Sequence, residues 1–202
     1  NKESPNDLAH NIITAVCEDE GGKLWIGTAS SGLRIFNKKT GEYVICRNDP
    51  QDPDSLNNDA ITSIQQDTSG VMWIGTTRGG VNKSLCDQVK FIHYKHNPHN
   101  PRSINHNDVR SLYVDGSGIL WVGTKQGLNR VDKRSGVVTH FSHDLSNANS
   151  LSHDCVQAIE EDKAGRIWLG TEDGGLNRLD SKTGIFTHYK NVPGDQNSLS
   201  NN

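Results

Sequence analysis

The chain has 202 residues, of which 32% are of the types AVILMFWYC, enough to form a packed core and far from a disordered composition. The 21 Lys and Arg nearly balance the 24 Asp and Glu, for a net charge of −3, which argues against nucleic acid or an anionic membrane surface as partner. No apolar stretch approaches the roughly 18 residues of a membrane span, and the N-terminus lacks a signal-peptide pattern. We therefore expect this sequence to be soluble, with any membrane attachment in parts of the protein beyond it.

Four tryptophans divide the sequence into repeats. Trp25, Trp73, Trp121 and Trp168 recur about every 48 residues, a period typical of one supersecondary unit that packs against copies of itself. Each stands in the motif Asp-x-x-Gly-x-x-Trp-x-Gly-Thr, for example Asp67-Thr-Ser-Gly-Val-Met-Trp-Ile-Gly-Thr76. The spacing predicts four units at about 11–58, 59–106, 107–153 and 154–202 within one domain covering 1–202.

Each unit begins with two predicted strands. The first is β-branched or apolar with one small residue at a fixed place, which suits a strand crowded at the centre of a ring; these residues are Ala15, Ser63, Ser111 and Ala158. Asp-x-x-Gly then predicts a tight hairpin. The tryptophan strand follows, at 24–28, 72–76, 120–124 and 167–171.

Two further strands complete each unit. The third is clearest at 128–132 and 176–180, and a turn such as Lys182-Thr-Gly184 leads to a fourth with aromatic residues such as Phe186. The second unit lacks this Gly turn, so its last hairpin should differ in shape. Four antiparallel strands per unit and no helical periodicity predict an all-β fold of β-propeller blades, rather than a helical solenoid, a β-helix or a sandwich.

A polar loop connects each unit to the next. Each loop carries Ser-Leu or Ser-Ile near its end, at Leu56, Ile104, Leu151 and Leu199. We expect this apolar residue to pin the loop onto the blade, and loops held on a rigid scaffold are a usual place for binding residues.

The four motif copies, together with Gly-Leu-Asn-Arg, Thr-Gly-x-Phe and the Ser-Leu of the loops, resemble the two-component regulator propeller repeat over essentially the whole chain. The resemblance implies the periplasmic sensor region of a hybrid two-component receptor of gut bacteria, joined by a membrane span to a histidine kinase that this sequence lacks. It further implies recognition of glycans, often oligosaccharides, and neither catalysis nor a cofactor.

The histidines and cysteines fit structural roles. His93, His140 and His188 share one strand-four position with Ile45, so we interpret them as scaffold. His106 and His153, with His10, share the loop before strand one, where Asn58 stands in the second unit; this place permits either a binding role or a loop hydrogen bond. The cysteines form no C-x-x-C pair, so we expect buried thiols at Cys17, Cys46, Cys86 and Cys155.

Residues that repeat in every unit are poor candidates for catalysis or metal binding. The turn aspartates are interpreted as turn caps and the tryptophans as core between blades rather than a sugar-stacking surface. Arg110 and Arg78 break the repeat, Arg110 standing where other units have Thr14, Thr62 and Gln157. Each arginine is either a binding residue for an anionic sugar or a solvated charge. We predict no catalytic residue and no metal site.

Two functions remain open. The first is a ligand-sensing module of a receptor, and the alternative is a structural or protein-binding propeller without a small-molecule ligand.

Ser198-Leu-Ser-Asn-Asn202 repeats Ser150-Leu-Ser-His-Asp154, the approach to strand one, so we expect the intact protein to continue into further blades. Folded alone, the chain should either close as a strained four-bladed ring or form a homodimer of eight blades, and we favour the dimer.

Overall fold

The computed structural model describes residues 12–85 and 89–202. Every regular element in these residues is a β-strand, and the strands form four antiparallel sheets of four strands each. This confirms the predicted all-β fold of propeller blades. The described residues contain no helix with the length and apolarity to cross a membrane.

The strands follow one another within each blade in sequence order. The first blade contains β1 (Ile13–Glu18), β2 (Lys23–Thr28), β3 (Leu33–Asn37) and β4 (Tyr43–Cys46). The second contains β5 (Ile61–Gln66), β6 (Val71–Thr76), β7 (Gly80–Leu85) and β8 (Ile92–Tyr94). The third contains β9 (Val109–Val114), β10 (Leu120–Thr124), β11 (Gly127–Asp132) and β12 (Val137–Phe141). The fourth contains β13 (Val156–Glu161), β14 (Ile167–Thr171), β15 (Gly175–Asp180) and β16 (Ile185–Tyr189).

A tight turn joins the first two strands of each blade. In the second blade the backbone N–H of Gly70 donates to the carbonyl oxygen of Asp67 at 2.9 Å. Gly70 has a φ of 81°, a left-handed conformation that residues with a Cβ adopt only at a cost. The matching glycines of the other blades have φ values of 76° to 82°, so the predicted Asp-x-x-Gly hairpin is confirmed.

Apolar side chains fill the three interfaces between neighbouring blades. Each interface holds one tryptophan, and Trp25, Trp73 and Trp121 are at most 2% exposed. Trp168 occupies the same position in the fourth blade but is half-buried. Its ring contacts Arg166, Arg178 and Tyr189 of its own blade, and no further blade among the described residues covers it. The predicted role of the tryptophans as core between blades is therefore confirmed for three of the four.

The first strands of the blades lie side by side along the inner edge of the array. β1 contacts β5, β5 contacts β9, and β9 contacts β13, but among the described residues no comparable contact joins β13 to β1. The arrangement is an open arc, so the closed four-bladed ring considered above is not formed.

Three of the four connecting loops are anchored as predicted, whereas Leu199 of the last loop is only half-buried. Leu56, Ile104 and Leu151 are at most 4% exposed, and each packs into the core between two blades. The serine that precedes each of these apolar residues also stabilises the loop. For example, the Ser103 hydroxyl accepts a hydrogen bond from the backbone N–H of Asn97 at 2.9 Å and donates one to the Asn97 carbonyl oxygen at 3.0 Å. The loops are thus ordered parts of the scaffold.

Three of the four cysteines lie in the described residues. Cys46 and Cys155 are buried, Cys17 is half-buried, and all three are free thiols. Cys86 and His10 lie outside the described residues, as does the centre of the third-to-fourth strand hairpin of the second blade, which was expected to differ from the others.

Candidate functional site

The turn aspartates and the tryptophans form one repeated hydrogen-bonded unit. Asp67 Oδ1 accepts the backbone N–H of Ser69 at 2.9 Å and of Val71 at 3.1 Å, while its Oδ2 accepts the indole N–H of Trp73 at 2.9 Å. The same indole bond of 2.8 Å recurs at Asp19, Asp115 and Asp162. The aspartates therefore cap turns and anchor tryptophans, as predicted.

The strand-four histidines are also part of the scaffold. Nε2 of His93, His140 and His188 lies 2.7–2.9 Å from the serine carbonyl oxygen of a connecting loop. Each bond fixes the loop that enters the same blade. Their predicted scaffold role is confirmed.

A β-bulge interrupts the first strand of every blade. In the third blade Ser111 pairs with Gly123 and Val109 with Thr124, so Arg110 is an extra, unpaired residue. The bulge in the other blades falls at the equivalent residues, Thr14, Thr62 and Gln157. Because bulges re-aim side chains and are frequent beside functional sites, these four positions on adjacent inner strands form the candidate site.

Arg110 lies against Asp108 within the third blade. Nη2 of Arg110 is 3.1 Å from Oδ2 of Asp108, and the two side chains are 32% and 10% exposed. Asp108 Oδ1 and Arg110 Nε are buried, yet neither has a hydrogen-bond partner among the described residues. Thr62 Oγ1, at the bulge of the neighbouring blade, is unpartnered in the same way. Unpaired buried polar atoms are rare in native proteins and call for a water, an ion or a ligand.

The fourth blade adds a second group of polar side chains. Gln157 Nε2 lies 3.4 Å from Glu172 Oε2 and 3.6 Å from Cys155 Sγ. The hydrogen bond from the Cys155 thiol lowers the pKa of Glu172, and the positive charge of Arg110 lowers it further. Burial, with the neighbouring Glu172 carboxylate, raises the pKa of the Cys155 thiol to about 11. Cys155 is therefore protonated at neutral pH and is a poor nucleophile.

The candidate histidines and arginines fall into two groups. Nδ1 of His106 accepts the backbone N–H of Asp108 at 3.0 Å, and Nδ1 of His153 accepts that of Cys155 at 3.2 Å. These are the loop hydrogen bonds considered as the alternative to binding. They place both histidines beside the polar side chains of Arg110, Asp108, Gln157 and Glu172, here called the Arg110 cluster. Arg78 is exposed on the turn between β6 and β7, with a φ of 67°, and no described contact joins it to the cluster.

Asp108, Gln157 and Glu172 were not predicted as site residues from the sequence. The sequence does contain a signal that could have found them. The four repeats carry the same residues at scaffold positions but different residues around the bulge. The residue equivalent to Asp108 is Ile12, Ala60 or Cys155, and the one equivalent to Glu172 is Ala29, Thr77 or Lys125. Variation among repeats at positions that share one edge of the blades is typical of a binding surface on a fixed scaffold.

Comparison with known proteins identifies the repeat. The family described as two component regulator propeller matches residues 7–30, 55–78, 103–126 and 150–173. The chain contains four two-component regulator propeller repeats. Each match spans strand one, the Asp-x-x-Gly turn and the tryptophan strand, and the last three matches begin at the loop serine. No curated protein matches the chain in sequence.

Several solved structures share this propeller fold. The extracellular domain assigned to a hybrid two-component system of Bacteroides thetaiotaomicron has 25% identity and a TM-score of 0.78, over 89% of this chain and 24% of that one. PorZ, a surface component of the type-IX secretion system of Porphyromonas gingivalis, has 18% identity and a TM-score of 0.68, over 96% of this chain and 30% of its own. Virginiamycin B lyase from Staphylococcus aureus has 18% identity and a TM-score of 0.65, over 96% and 59%. The chain thus spans less than two thirds of these proteins, and the last two show similarity of fold alone.

Proposed function

We propose that this chain is a ligand-sensing part of the extracytoplasmic propeller region of a hybrid two-component receptor. The two-component regulator propeller repeats and the similarity to a receptor's extracellular domain support this assignment. The intact receptor would carry its membrane span and histidine kinase elsewhere, and the location would be periplasmic.

The proposed ligand is an oligosaccharide bound at the bulges of the inner strands. The observation that carries this proposal is the pair of buried, unpartnered atoms Asp108 Oδ1 and Arg110 Nε. Carboxylate, guanidinium and amide groups, here Asp108, Arg110 and Gln157, can together accept from and donate to the hydroxyl groups of a sugar. A receptor that discriminates hydroxyl patterns benefits from such preset polar groups, because an analogue that lacks a hydroxyl leaves them unpaired.

A glycan array followed by calorimetry tests this site. We expect one or a few oligosaccharides to bind, and Arg110→Ala to weaken that binding about tenfold or more through loss of a charge-assisted hydrogen bond. Arg47→Ala is the matched control, since Arg47 is an exposed arginine in the loop that follows β4, outside the bulge positions, and its loss should leave the affinity unchanged. A blank array would favour the structural or protein-binding alternative. Equal binding by the Arg110 variant would place the ligand elsewhere.

We also propose that the chain is not an enzyme. The Asp and His residues repeated in the blades are used by the scaffold, and the buried Cys155 has a raised pKa. Oligosaccharides that bind should therefore be recovered with their chain lengths unchanged. Cleavage that disappears in the Arg110→Ala variant would contradict this.

Self-association of the isolated chain is a further proposal. Val16 is 59% exposed, although the equivalent Ile64, Leu112 and Ile159 pack between blades; at the other end of the arc Trp168 is half-buried. Pairing of two copies end to end would cover both apolar faces. We expect light scattering to give the mass of a dimer and Val16→Lys to give a monomer. Val137→Lys, at another exposed valine, should remain dimeric, and a monomeric parent chain would contradict the proposal.

A further inference from the structure

The interface between the second and third blades lacks an aromatic residue that the other interfaces have. Phe91 of the second blade packs against the first, and Phe186 of the fourth packs against the third; both are at most 4% exposed. In the third blade the same strand-four position is Val138, opposite Val131 as Phe186 is opposite Leu179. Valine leaves the space of a phenyl ring unfilled at this interface.

A groove occupies this place. It has a volume of about 450 Å³ and an apolar wall that includes Val71, Trp73, Tyr94, Val131 and Val138. This volume lies within the range of about 300 to 1,000 Å³ typical of small-molecule sites.

The backbone differs at the same point. The N–H groups of Phe91 and Phe186 donate to loop carbonyl oxygens, those of Asp54 and Asn149, at 2.8 and 2.9 Å. Within the described residues Val138 makes no equivalent bond to Arg102, and both of these residues line the groove. At this interface the groove therefore lies between the loop at Arg102 and strand β12 at Val138.

The neighbouring interface shows how a ring would pack in the groove. The Phe186 ring meets the Phe141 ring edge-on, with centroids 5.7 Å apart. Tyr94 holds the position of Phe141 in the second blade, and its ring lies 5.6 Å from that of Trp73. An aromatic ring placed beside Val138 would meet Tyr94 as Phe186 meets Phe141, an arrangement that favours aromatic over aliphatic ligands.

The two carboxylates of the groove, Asp67 and Asp132, already have hydrogen-bond donors from the protein. Lys133 Nζ lies 2.5 Å from Asp67 Oδ2. Burial alone would raise the pKa of Asp67, but hydrogen bonds from Lys133, Ser69 and Trp73 outweigh it and lower the pKa far below its usual range. Backbone N–H groups of Arg134 and Ser135 lower the pKa of Asp132.

Three other cations of the groove have no anionic partner in the described ion pairs. They are Lys83, Arg102 and Arg134. Lys83 Nζ lies 5.7 Å from the centre of the Trp73 ring. The loop position of Arg102 is Asp54 or Asn149 at the other two interfaces, so Arg102 is the cation that distinguishes this groove from them.

We propose that the groove between the second and third blades binds a small aromatic carboxylate. Its ring takes the place that Phe91 and Phe186 fill at the other interfaces, against Tyr94 and Trp73. Its carboxylate is held by Lys83 with Arg102 and Arg134. This site is separate from the bulge residues of the inner strands and does not depend on the oligosaccharide proposal.

Titration with 4-hydroxyphenylacetate, followed by calorimetry or ligand-detected NMR, tests the site. We expect saturable binding to the parent chain, with acetate and the neutral 4-hydroxyphenylacetamide each binding about tenfold more weakly or worse, because each lacks either the ring or the charge. Val138→Phe should abolish binding, since its own ring fills the space, and a retained unfolding midpoint would show that the variant folds. Lys83→Gln should lower the affinity for the carboxylate severalfold and leave the affinity for the amide unchanged.

The matched variant is Phe186→Val, which opens the same space between the third and fourth blades. Asn149 replaces Arg102 there, while Arg130 and Lys182 stand at the positions of Lys83 and Arg134. This variant should therefore gain binding of both ligands, with a smaller preference for the carboxylate over the amide than the parent chain shows. Absence of binding by the parent chain at millimolar ligand, or equal affinity of the Val138→Phe variant, would overturn the proposal.

Discussion

Replacing Asp115 with alanine is expected to unfold the third blade at a much lower urea concentration than in the parent chain. Asp115 is 8% exposed, and its carboxylate accepts the Trp121 indole N–H at 2.8 Å together with the backbone N–H groups of Ser117 and Ile119 at 3.0 and 2.9 Å. With alanine at this position, these N–H donors lose their acceptor, and the Trp121 indole is buried between the third and fourth blades. We expect a loss of about 3 kcal/mol, since one buried unsatisfied group costs about 1–3 kcal/mol.

Urea unfolding followed by tryptophan fluorescence measures this effect. Asp162→Ala provides the comparison, because Asp162 makes the same bonds to Trp168 and to its turn. Trp168 is half-buried, so water can replace the lost acceptor there, and the fall in the unfolding midpoint should be clearly smaller. Equal losses for the two variants would mean that burial between blades adds nothing to the value of the bond.

The second large effect is expected from Gly123→Ala. Gly123 lies in the Trp-x-Gly-Thr part of the repeat, where a Cβ would contact Ser111 Oγ and come within 2.8 Å of Val156 Cγ1 and the Val156 carbonyl oxygen in the next blade. The third and fourth blades would have to separate to admit a methyl group. We expect a loss of about 1–3 kcal/mol, the usual cost of overpacking a core.

Gly170→Ala is the internal control for this prediction. Gly170 occupies the same place in the fourth blade, but among the described residues an added methyl group would meet only Ala158 Cβ, at 3.6 Å, which is an ordinary contact. This variant should unfold at the same urea concentration as the parent chain or slightly higher, since alanine restricts the unfolded chain. If both variants were equally unstable, the glycine would be required by the strand itself and not by the approach of the next blade.

The sheets and turns of this protein could be predicted from the sequence because their causes are local. Asp67 caps a turn only four residues long, Gly70 supplies its left-handed conformation, and alternating apolar residues define the strands on either side. Repetition then reinforces each assignment, since the same motif occurs four times. The predicted tryptophan strands agree with β2, β6, β10 and β14 to within one residue at either end.

Part of the candidate site was also accessible from the sequence, and part was not. Arg110 stands out because it breaks the repeat, but its bulge depends on the register between two strands, which pairing across the sheet decides. Asp108 and Glu172 belong to different blades, and only blade packing brings the Arg110 charge close enough to lower the pKa of Glu172. Asp108 pairs with Arg110 inside one blade, whereas the effect of Arg110 on Glu172 exists only between packed blades.

The sequence by itself determined the unit of this protein: four sheets, their hairpins and the tryptophan that each presents to a neighbour. Only the tertiary structure decided how those units relate. The arc stays open, and one interface leaves a groove at Val138. Near the inner strands the buried atoms Asp108 Oδ1, Arg110 Nε and Thr62 Oγ1 lack hydrogen-bond partners among the described residues. Turn chemistry and strand periodicity act over a few residues, whereas the angle and fit between blades depend on side chains about 48 residues apart, which meet only after the sheets have packed.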